Sequence, residues 1–365
     1  MSRHCLSEKF FSECYKLIRS VKVSSPSFVL VLIQIKNTAQ RGTTVEYTTL
    51  GNTGIRASVA GLGCGGGSRL GQTRGLSKRE SVALVRVAMD LGVNYLDTAA
   101  VYGTEAIVGE AIKSISRDEV IVATKATIRK DGELLPVEDI IASLDNSLRE
   151  IETDYIDVFQ FHAVPPNLYE HIREQFAPVL LREKEKGKIR HLGLTETPPN
   201  DPAGEMLVKA SADPIWEVVM LGFHMMHQVA RRNCFPGTMR NGIGTAIMFV
   251  VRSIFSIPGR LEETIKKLEA EGKLPTWLSE SENPLGFLIH EDGGAKSIID
   301  AAYRYARHEP GTDVILFGSG IEEHIRTNIG SILGPPLPEA DLAKLEELFG
   351  HLEGVGLDLP EPRKS

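Results

Sequence analysis

The chain has 365 residues, a net charge of −7, and 42% hydrophobic against 24% charged side chains. That balance is typical of a globular protein with a sizeable core. The excess of acid excludes a general nucleic-acid binder, which needs a basic stripe. Cys5, Cys14, Cys64 and Cys234 are scattered without zinc or disulfide spacing, so no metal is expected and a reducing, cytoplasmic location is.

Near the start, the longest apolar run, Phe28–Ile35, is far short of the roughly 20 residues that a membrane helix requires. Basic residues precede it as in a signal peptide, but the charged region is too long and no small-residue cleavage site follows. No membrane partner is expected. Residues 1–44 share no pattern with the rest and read as a poorly ordered extension; 45–350 read as one domain and 351–365 as a C-terminal tail.

From Tyr47 the chain becomes punctuated. Tyr47–Leu50 and Ile55–Val59 flank a glycine-bearing turn and read as a hairpin. A strand over Val59–Gly63 follows, then Ser77 and Glu80 form a capping box ahead of a helix with Val82, Val85 and Met89 on one face, closed by Gly92. Strand Val93–Asp97 leads to helix Thr104–Ile115, and strand Glu119–Thr124 with Lys125 to helix Val137–Ile151, whose apolar stripe is Ile140, Leu144, Leu148 and Ile151. Strand Tyr155–Phe161 ends at His162, and a helix over Tyr169–Lys186 precedes strand Ile189–Leu194. Helix Ala203–Ala212, strand Trp216–Leu221, an irregular stretch Gly222–Asn241 and strand Thr245–Val250 come next. Helices Arg260–Glu271 and Ala295–Arg307, strand Asp313–Phe317, and helices Glu322–Ile332 and Glu339–Phe349 finish the pattern.

Eight strands alternating with helices, several of them apolar throughout, point to a single (β/α)8 TIM barrel with an N-terminal β-hairpin. The competing architecture is an open doubly wound sheet. Gly61-Leu62-Gly63-Cys64-Gly65-Gly66 fits G-x-G-x-x-G, but no helix begins until about Lys78, so the phosphate-binding helix start is missing from its place.

Three successive strands end in ionisable residues: Asp97 with Tyr102 just beyond, Lys125, and His162. In a barrel these converge on one mouth. Each alone has a plainer reading: a capping acid, a rim aromatic, a solvated lysine, a core histidine. Together they make chemical sense. A phenol is a poor proton donor at its usual pKa near 10; a neighbouring ammonium favours the phenolate, and a carboxylate keeps that ammonium charged when buried. A histidine can orient a carbonyl oxygen. Such a set protonates a carbonyl oxygen as it becomes an alcohol, and the hydride must then come from a nicotinamide cofactor.

At these residues the chain resembles the aldo-keto reductase family. The matching segments are Asp97-Thr98-Ala99-Ala100-Val101-Tyr102-Gly103, Val122–Lys125, Tyr155–His162, Gly187–Thr195, and Gly318–Asn328 after the last strand, in family order over about Tyr47 to Leu333. The resemblance implies a (β/α)8 barrel that binds NADP(H), or less often NAD(H), and reduces a small-molecule carbonyl or sugar substrate. It implies Tyr102 as general acid, Lys125 and Asp97 as its tuning pair, and His162 as the orienting residue. For the cofactor it implies Thr195 and Glu196 after the fifth barrel strand, Met220 on the sixth, Met248-Phe249 on the seventh, and Gly318, Ser319, Gly320, His324 and Asn328 in the last segment. An anionic Glu196 and an apolar Met220 cannot copy the family's usual carboxamide hydrogen bonds. The cations of NADP-selective members are absent at Gly318 and His324; Arg326 lies about 200° around the helix from His324.

His224 and His227 are spaced like metal ligands but lack a third, and read as a polar loop face. Arg231-Arg232 suits an anionic substrate or plain solvation. The insertion Ser253–Glu291, carrying Trp277, has the place of a lid. Besides a carbonyl reductase, two other functions are open: a nicotinamide-binding redox-sensing module with little turnover, motivated by the altered carboxamide pocket, and a barrel lyase using Lys125 as a Schiff-base amine.

Overall fold

The computed structural model describes residues 45–358. The run Phe28–Ile35, Cys5, Cys14 and the extension 1–44 lie outside those residues, as do positions 359–365.

Eight parallel strands close into a barrel: β3 (Ala60–Gly63), β4 (Tyr95–Asp97), β5 (Ile121–Thr127), β8 (Ile156–His162), β9 (Ile189–Thr195), β10 (Val218–Gly222), β11 (Gly244–Met248) and β12 (Val314–Phe317), with β12 pairing back to β3. The hairpin β1 (Tyr47–Thr49) and β2 (Arg56–Ser58) is antiparallel, as expected. Leu50 at its turn packs with Tyr95, Val158 and Val218 inside the barrel, and Gly51 abuts the backbone of Gly242–Gly244. The hairpin therefore plugs the end of the barrel where the strands begin.

Period-two alternation along each strand divides the core into two layers. Tyr95, Ala123, Val158, Val218, Met220, Ala246, Val314 and Leu316 fill the lumen, while Leu62, Leu96, Val122, Phe159, Phe161, Leu192 and Ile315 face the helices. Ser77 caps helix Lys78–Asp90 in a full capping box with Glu80. Helices Val137–Ile151, Glu322–Ile332 and Glu339–Phe349 have the expected bounds.

Four departures matter. Lys125 sits inside β5 rather than at its end, because the strand runs on to Thr127. A small antiparallel hairpin, β6 (Arg129–Lys130) and β7 (Glu133–Leu134), follows it, turning at Asp131 (φ 51°) and Gly132 (φ 90°); Asp-Gly is a strong hairpin signal. The stretch Gly222–Asn241 is not irregular throughout: it holds short helices Ala230–Asn233 and Phe235–Asn241. Pro236 and Gly237 hid the second from propensity alone, yet Gly237 lets it press on Ser211, where a Cβ would sit 2.5 Å from Oγ. Finally, the helix expected over Tyr169–Lys186 contains a π-helical turn, Ile172–Phe176.

After the last helix, Leu352, Val355 and Leu357 are buried. Arg232 Nη1 donates to the Gly350 carbonyl at 2.6 Å, and Arg252 pairs with Asp358 at 3.5 Å. Among the described residues no helix is long and apolar enough to cross a membrane.

Candidate active site

β4 delivers Asp97 to the mouth, and a single 3₁₀ turn, Ala100–Tyr102, brings the phenol back over it. Gly103 follows at φ 68°, a left-handed conformation suited to glycine, and releases the chain into helix Glu105–Ile112. Lys125 Nζ donates to Asp97 Oδ1 at 2.7 Å and to the Thr98 carbonyl at 2.8 Å. Thr98 is braced in turn, its hydroxyl 2.8 Å from that of Thr104. Lys125 has 0% and Asp97 2% exposure, so this is a buried ion pair. Burial opposes both charges and pushes the Asp97 carboxyl up. At Lys125 burial is outweighed by the Asp97 charge and hydrogen bond, and the ammonium is held above the ordinary lysine range.

Tyr102 Oη lies 3.3 Å from His162 Nε2, with the two rings edge to face at 5.5 Å. Lys125 Nζ is 5.2 Å from the centre of the phenol ring. Burial pushes the His162 imidazole down to about 3, helped by the Lys125 charge, so the ring is neutral at neutral pH. The phenol departs from expectation. Burial raises it, and the Lys125 attraction offsets that only in part, leaving Tyr102 above its usual range. An ammonium already committed to Asp97 and Thr98 cannot overcome the loss of water around a phenolate. In the free protein Tyr102 is thus a neutral acid, while Lys125 lies where a phenolate would be stabilised.

Three residues here were not anticipated. Gly65 leaves room for the phenol: a Cβ there would sit 2.4 Å from Tyr102 Cε2. Arg69 Nη1 donates to the Tyr102 carbonyl at 3.3 Å, from a backbone at φ 43°. Gln160 is fully buried, and neither amide atom has a hydrogen-bond partner among the described residues. Alternation from His162 along β8 was the available signal for Gln160; a loop contact such as that of Arg69 leaves none.

The other side of the mouth is built differently. Thr195 pairs in register with Met220 and accepts a 2.8 Å bond from the Ala163 amide, itself at φ 57°. Its hydroxyl hydrogen is free to serve a ligand. Glu196 is committed to the backbone: Oε2 accepts from the Gly222 amide at 2.8 Å, and buried Oε1 has no partner among the described residues. Burial raises this carboxyl to about 8, with Asp201 adding to it and the Gly222 bond opposing. The expected anion is therefore a neutral acid. Met220 and Met248 border the lumen. Phe249 follows at φ 65°, its ring 4.3 Å from the Arg252 guanidinium.

Beyond β12, the turn Gly318–Gly320 approaches other backbone closely; a Cβ on Gly318 would meet the Gly63 carbonyl at 2.9 Å. Ser319 Oγ accepts from the Ile321 amide at 3.1 Å, and helix Glu322–Ile332 starts with no side-chain cap. Uncapped amides beside a glycine turn fit the phosphate end of a dinucleotide. The neutral Glu196, committed to the Gly222 amide, and apolar Met220 fit the carboxamide end less well. His324 is exposed, Asn328 half-buried, and Arg326 is held by Glu322 at 2.7 Å.

His224 and His227 are not a polar loop face. They are 0% and 1% exposed, closing a tight turn on each other, and burial pushes His227 down to about 4. Arg231 is committed to Glu309 through Nε and Nη2, and also to Gln228 and Tyr305, leaving no free charge for a substrate. Among the described residues no cluster of three or more candidate metal ligands exists.

Residues 62–349 match the model of the Aldo/keto reductase family. L-galactose dehydrogenase of Arabidopsis thaliana is 35% identical over 162 residues, which span 43% of this chain but only half of that protein's length. Aldo-keto reductase YhdN of Bacillus subtilis (strain 168) is 29% identical over 294 residues, 75% of this chain and 85% of the relative. In three dimensions, the holo form of aldo-keto reductase AKR11C1 from Bacillus halodurans superposes with a TM-score of 0.62 at 21% identity, covering 84% of this chain and 96% of the other. At that identity the likeness speaks for the fold alone.

Proposed function

This chain belongs to the aldo/keto reductase family, and from that premise we propose that it reduces the carbonyl of an aldehyde, ketone or sugar with NADP(H), or with NAD(H), using Tyr102 as general acid. The observation that carries the reading is the convergence of Tyr102 with His162 at 3.3 Å and with the buried Lys125–Asp97 pair. The dinucleotide, when bound, supplies the hydride that no side chain can. Ser319, the open amides of helix Glu322–Ile332, Asn328 and Thr195 are the groups that would hold it.

The rest follows from this chain's own residues. The neutral His162 imidazole lies beside the phenol, placed to orient the substrate oxygen. Tyr102 Oη gives its proton to that oxygen as negative charge develops there, worth roughly 10²–10⁴-fold in rate for a positioned general acid. Lys125 then stabilises the phenolate left behind, and Asp97 keeps Lys125 charged inside the barrel. Because burial holds the phenol above its usual range, the protonated form persists through neutral pH and reduction should decline only at strongly alkaline pH. The sugar class draws support from the relative named L-galactose dehydrogenase.

A nicotinamide-binding module with little turnover is the second reading, favoured by the neutral, backbone-bound Glu196 and apolar Met220. The Schiff-base lyase is disfavoured, because Lys125 is fully buried and held as an ammonium. The test is to mix the chain and Tyr102→Phe with NADPH or NADH and a panel of sugars, aldehydes and ketones. Turnover that falls at least about 100-fold in Tyr102→Phe supports the reductase. Tight coenzyme binding without turnover on any member supports the sensor, and absence of coenzyme binding overturns both.

A further inference from the structure

Resting on the dinucleotide reading above, we propose that Arg74 supplies the cation that holds a phosphate of the coenzyme. The loop joining β3 to helix Lys78–Asp90 folds onto the last cofactor segment. A Cβ on Gly320 would lie 2.5 Å from the Gly71 Cα, so the two glycine backbones meet with no space for a side chain, and 3.7 Å from the Arg74 Cδ. The Arg74 side chain thus runs beside the Gly318–Gly320 turn and the uncapped start of helix Glu322–Ile332.

The guanidinium makes no hydrogen bond or ion pair among the described residues, and the side chain is exposed. The other cation near this segment behaves oppositely: Arg326 donates through Nε at 3.1 Å and Nη2 at 2.7 Å to Glu322, four residues back. Glu322 and Glu323 open the helix with negative charge. A phosphate held here needs a positive partner to offset them, and among the described residues Arg74 is placed to be it.

The loop that carries Arg74 is braced. Thr73 Oγ1 donates to the Gly67 carbonyl at 2.8 Å, the Gly71 amide to the Ser68 carbonyl at 2.8 Å, and the Gly75 amide to Gln72 at 3.0 Å. Arg69, five residues earlier on the same loop, touches the Tyr102 carbonyl. One short loop therefore connects the phosphate segment to the backbone of the proton donor. The resemblance leaves no cation at Gly318 or His324; the fold brings Arg74 beside Gly320 from the opposite end of the chain.

The test is direct binding rather than turnover. NADPH and NADH are titrated by nicotinamide fluorescence against the full chain, Arg74→Ala, Arg74→Lys and Arg326→Ala, at low and high salt. Arg74→Ala should weaken binding roughly 10- to 100-fold and flatten its salt dependence, with Arg74→Lys recovering part of the loss. Arg326→Ala should change little. A loss confined to NADPH assigns the contact to the ribose phosphate, and an equal loss for both coenzymes to the pyrophosphate; either supports the proposal. Unchanged affinities in Arg74→Ala, with the unaltered chain binding normally, overturn it and leave the reductase reading intact. An unaltered chain that binds neither coenzyme overturns that reading and this proposal with it. Because Arg74 is exposed and unpaired among the described residues, its variants should melt with the parent, which separates lost binding from lost folding.

Discussion

The two halves of the barrel mouth are built on different principles. On the arc of β4, β5 and β8, the ionisable groups hold one another: Lys125 is held by Asp97 and the Thr98 carbonyl, Thr98 by Thr104, and Tyr102 by His162, with the buried Gln160 amide beside them unpartnered among the described residues. On the arc of β9, β10 and β11, Met220 and Met248 border the lumen, Glu196 bonds the Gly222 amide through one oxygen, and its second oxygen has no partner among the described residues. Buried polar networks are costly when half-satisfied and rigid when complete. The first arc thus holds its ion pair and its phenol in one geometry. The second is lined by apolar side chains, and burial holds its acid Glu196 neutral.

The largest test of that contrast is Lys125→Met. It leaves Asp97 buried without its counter-charge, so stability should fall by about 3–5 kcal/mol in a thermal melt. Reductase turnover should fall at least about 100-fold. Adding Asp97→Asn should restore much of the stability and none of the activity. A single variant that melts with the parent would remove the pair from any structural role.

Glu196 probes the second arc through pH. An exposed glutamate titrates near 4.5 and this one near 8, so between those values the folded chain holds the extra proton. The stability that Glu196 contributes is therefore complete below about 4.5 and lost as the pH rises through about 8. Glu196→Gln should remove that dependence, giving a gain over the parent on the order of 2–4 kcal/mol at pH 9 that vanishes at pH 4. Parallel melting curves for the two chains across this range would show that the acid is not held neutral.

Gly65→Ala should cost about 1–3 kcal/mol, because the new methyl displaces the Tyr102 ring. It should lower turnover more than coenzyme affinity, and an equal effect on both would mean that the loop moves as a unit. The smallest effect is expected from Thr195→Val, which leaves the Ala163 amide without its acceptor at a cost of about 1 kcal/mol. Measured next to Gly65→Ala, it shows whether the second arc tolerates losses that the first does not.

How much could be read in advance differs between the arcs in the same way. The residues of the first announce themselves because each ionisable side chain follows an apolar strand, and strand and turn are local patterns. The capping box of Ser77 and Glu80, the stripe of Val137–Ile151 and the strand holding His162 are legible for the same reason. The second arc carries no such local pattern, and only the family resemblance marks its residues. There, what Glu196 does depends on whether it faces the lumen or the helices, and its ionisation on how much water it loses.

The order of elements, the closed barrel and the convergence of Asp97, Tyr102, Lys125 and His162 were therefore determined by the sequence itself, through periodicity and strand-end placement. Only the tertiary structure decided what burial does to these groups. It raises Tyr102 despite the lysine, holds Glu196 neutral, and seals His224 and His227 away from solvent. It also set Arg74 beside Gly320, a contact between residues far apart in the chain. Desolvation and long-range contact are properties of the packed molecule, and no local pattern encodes them.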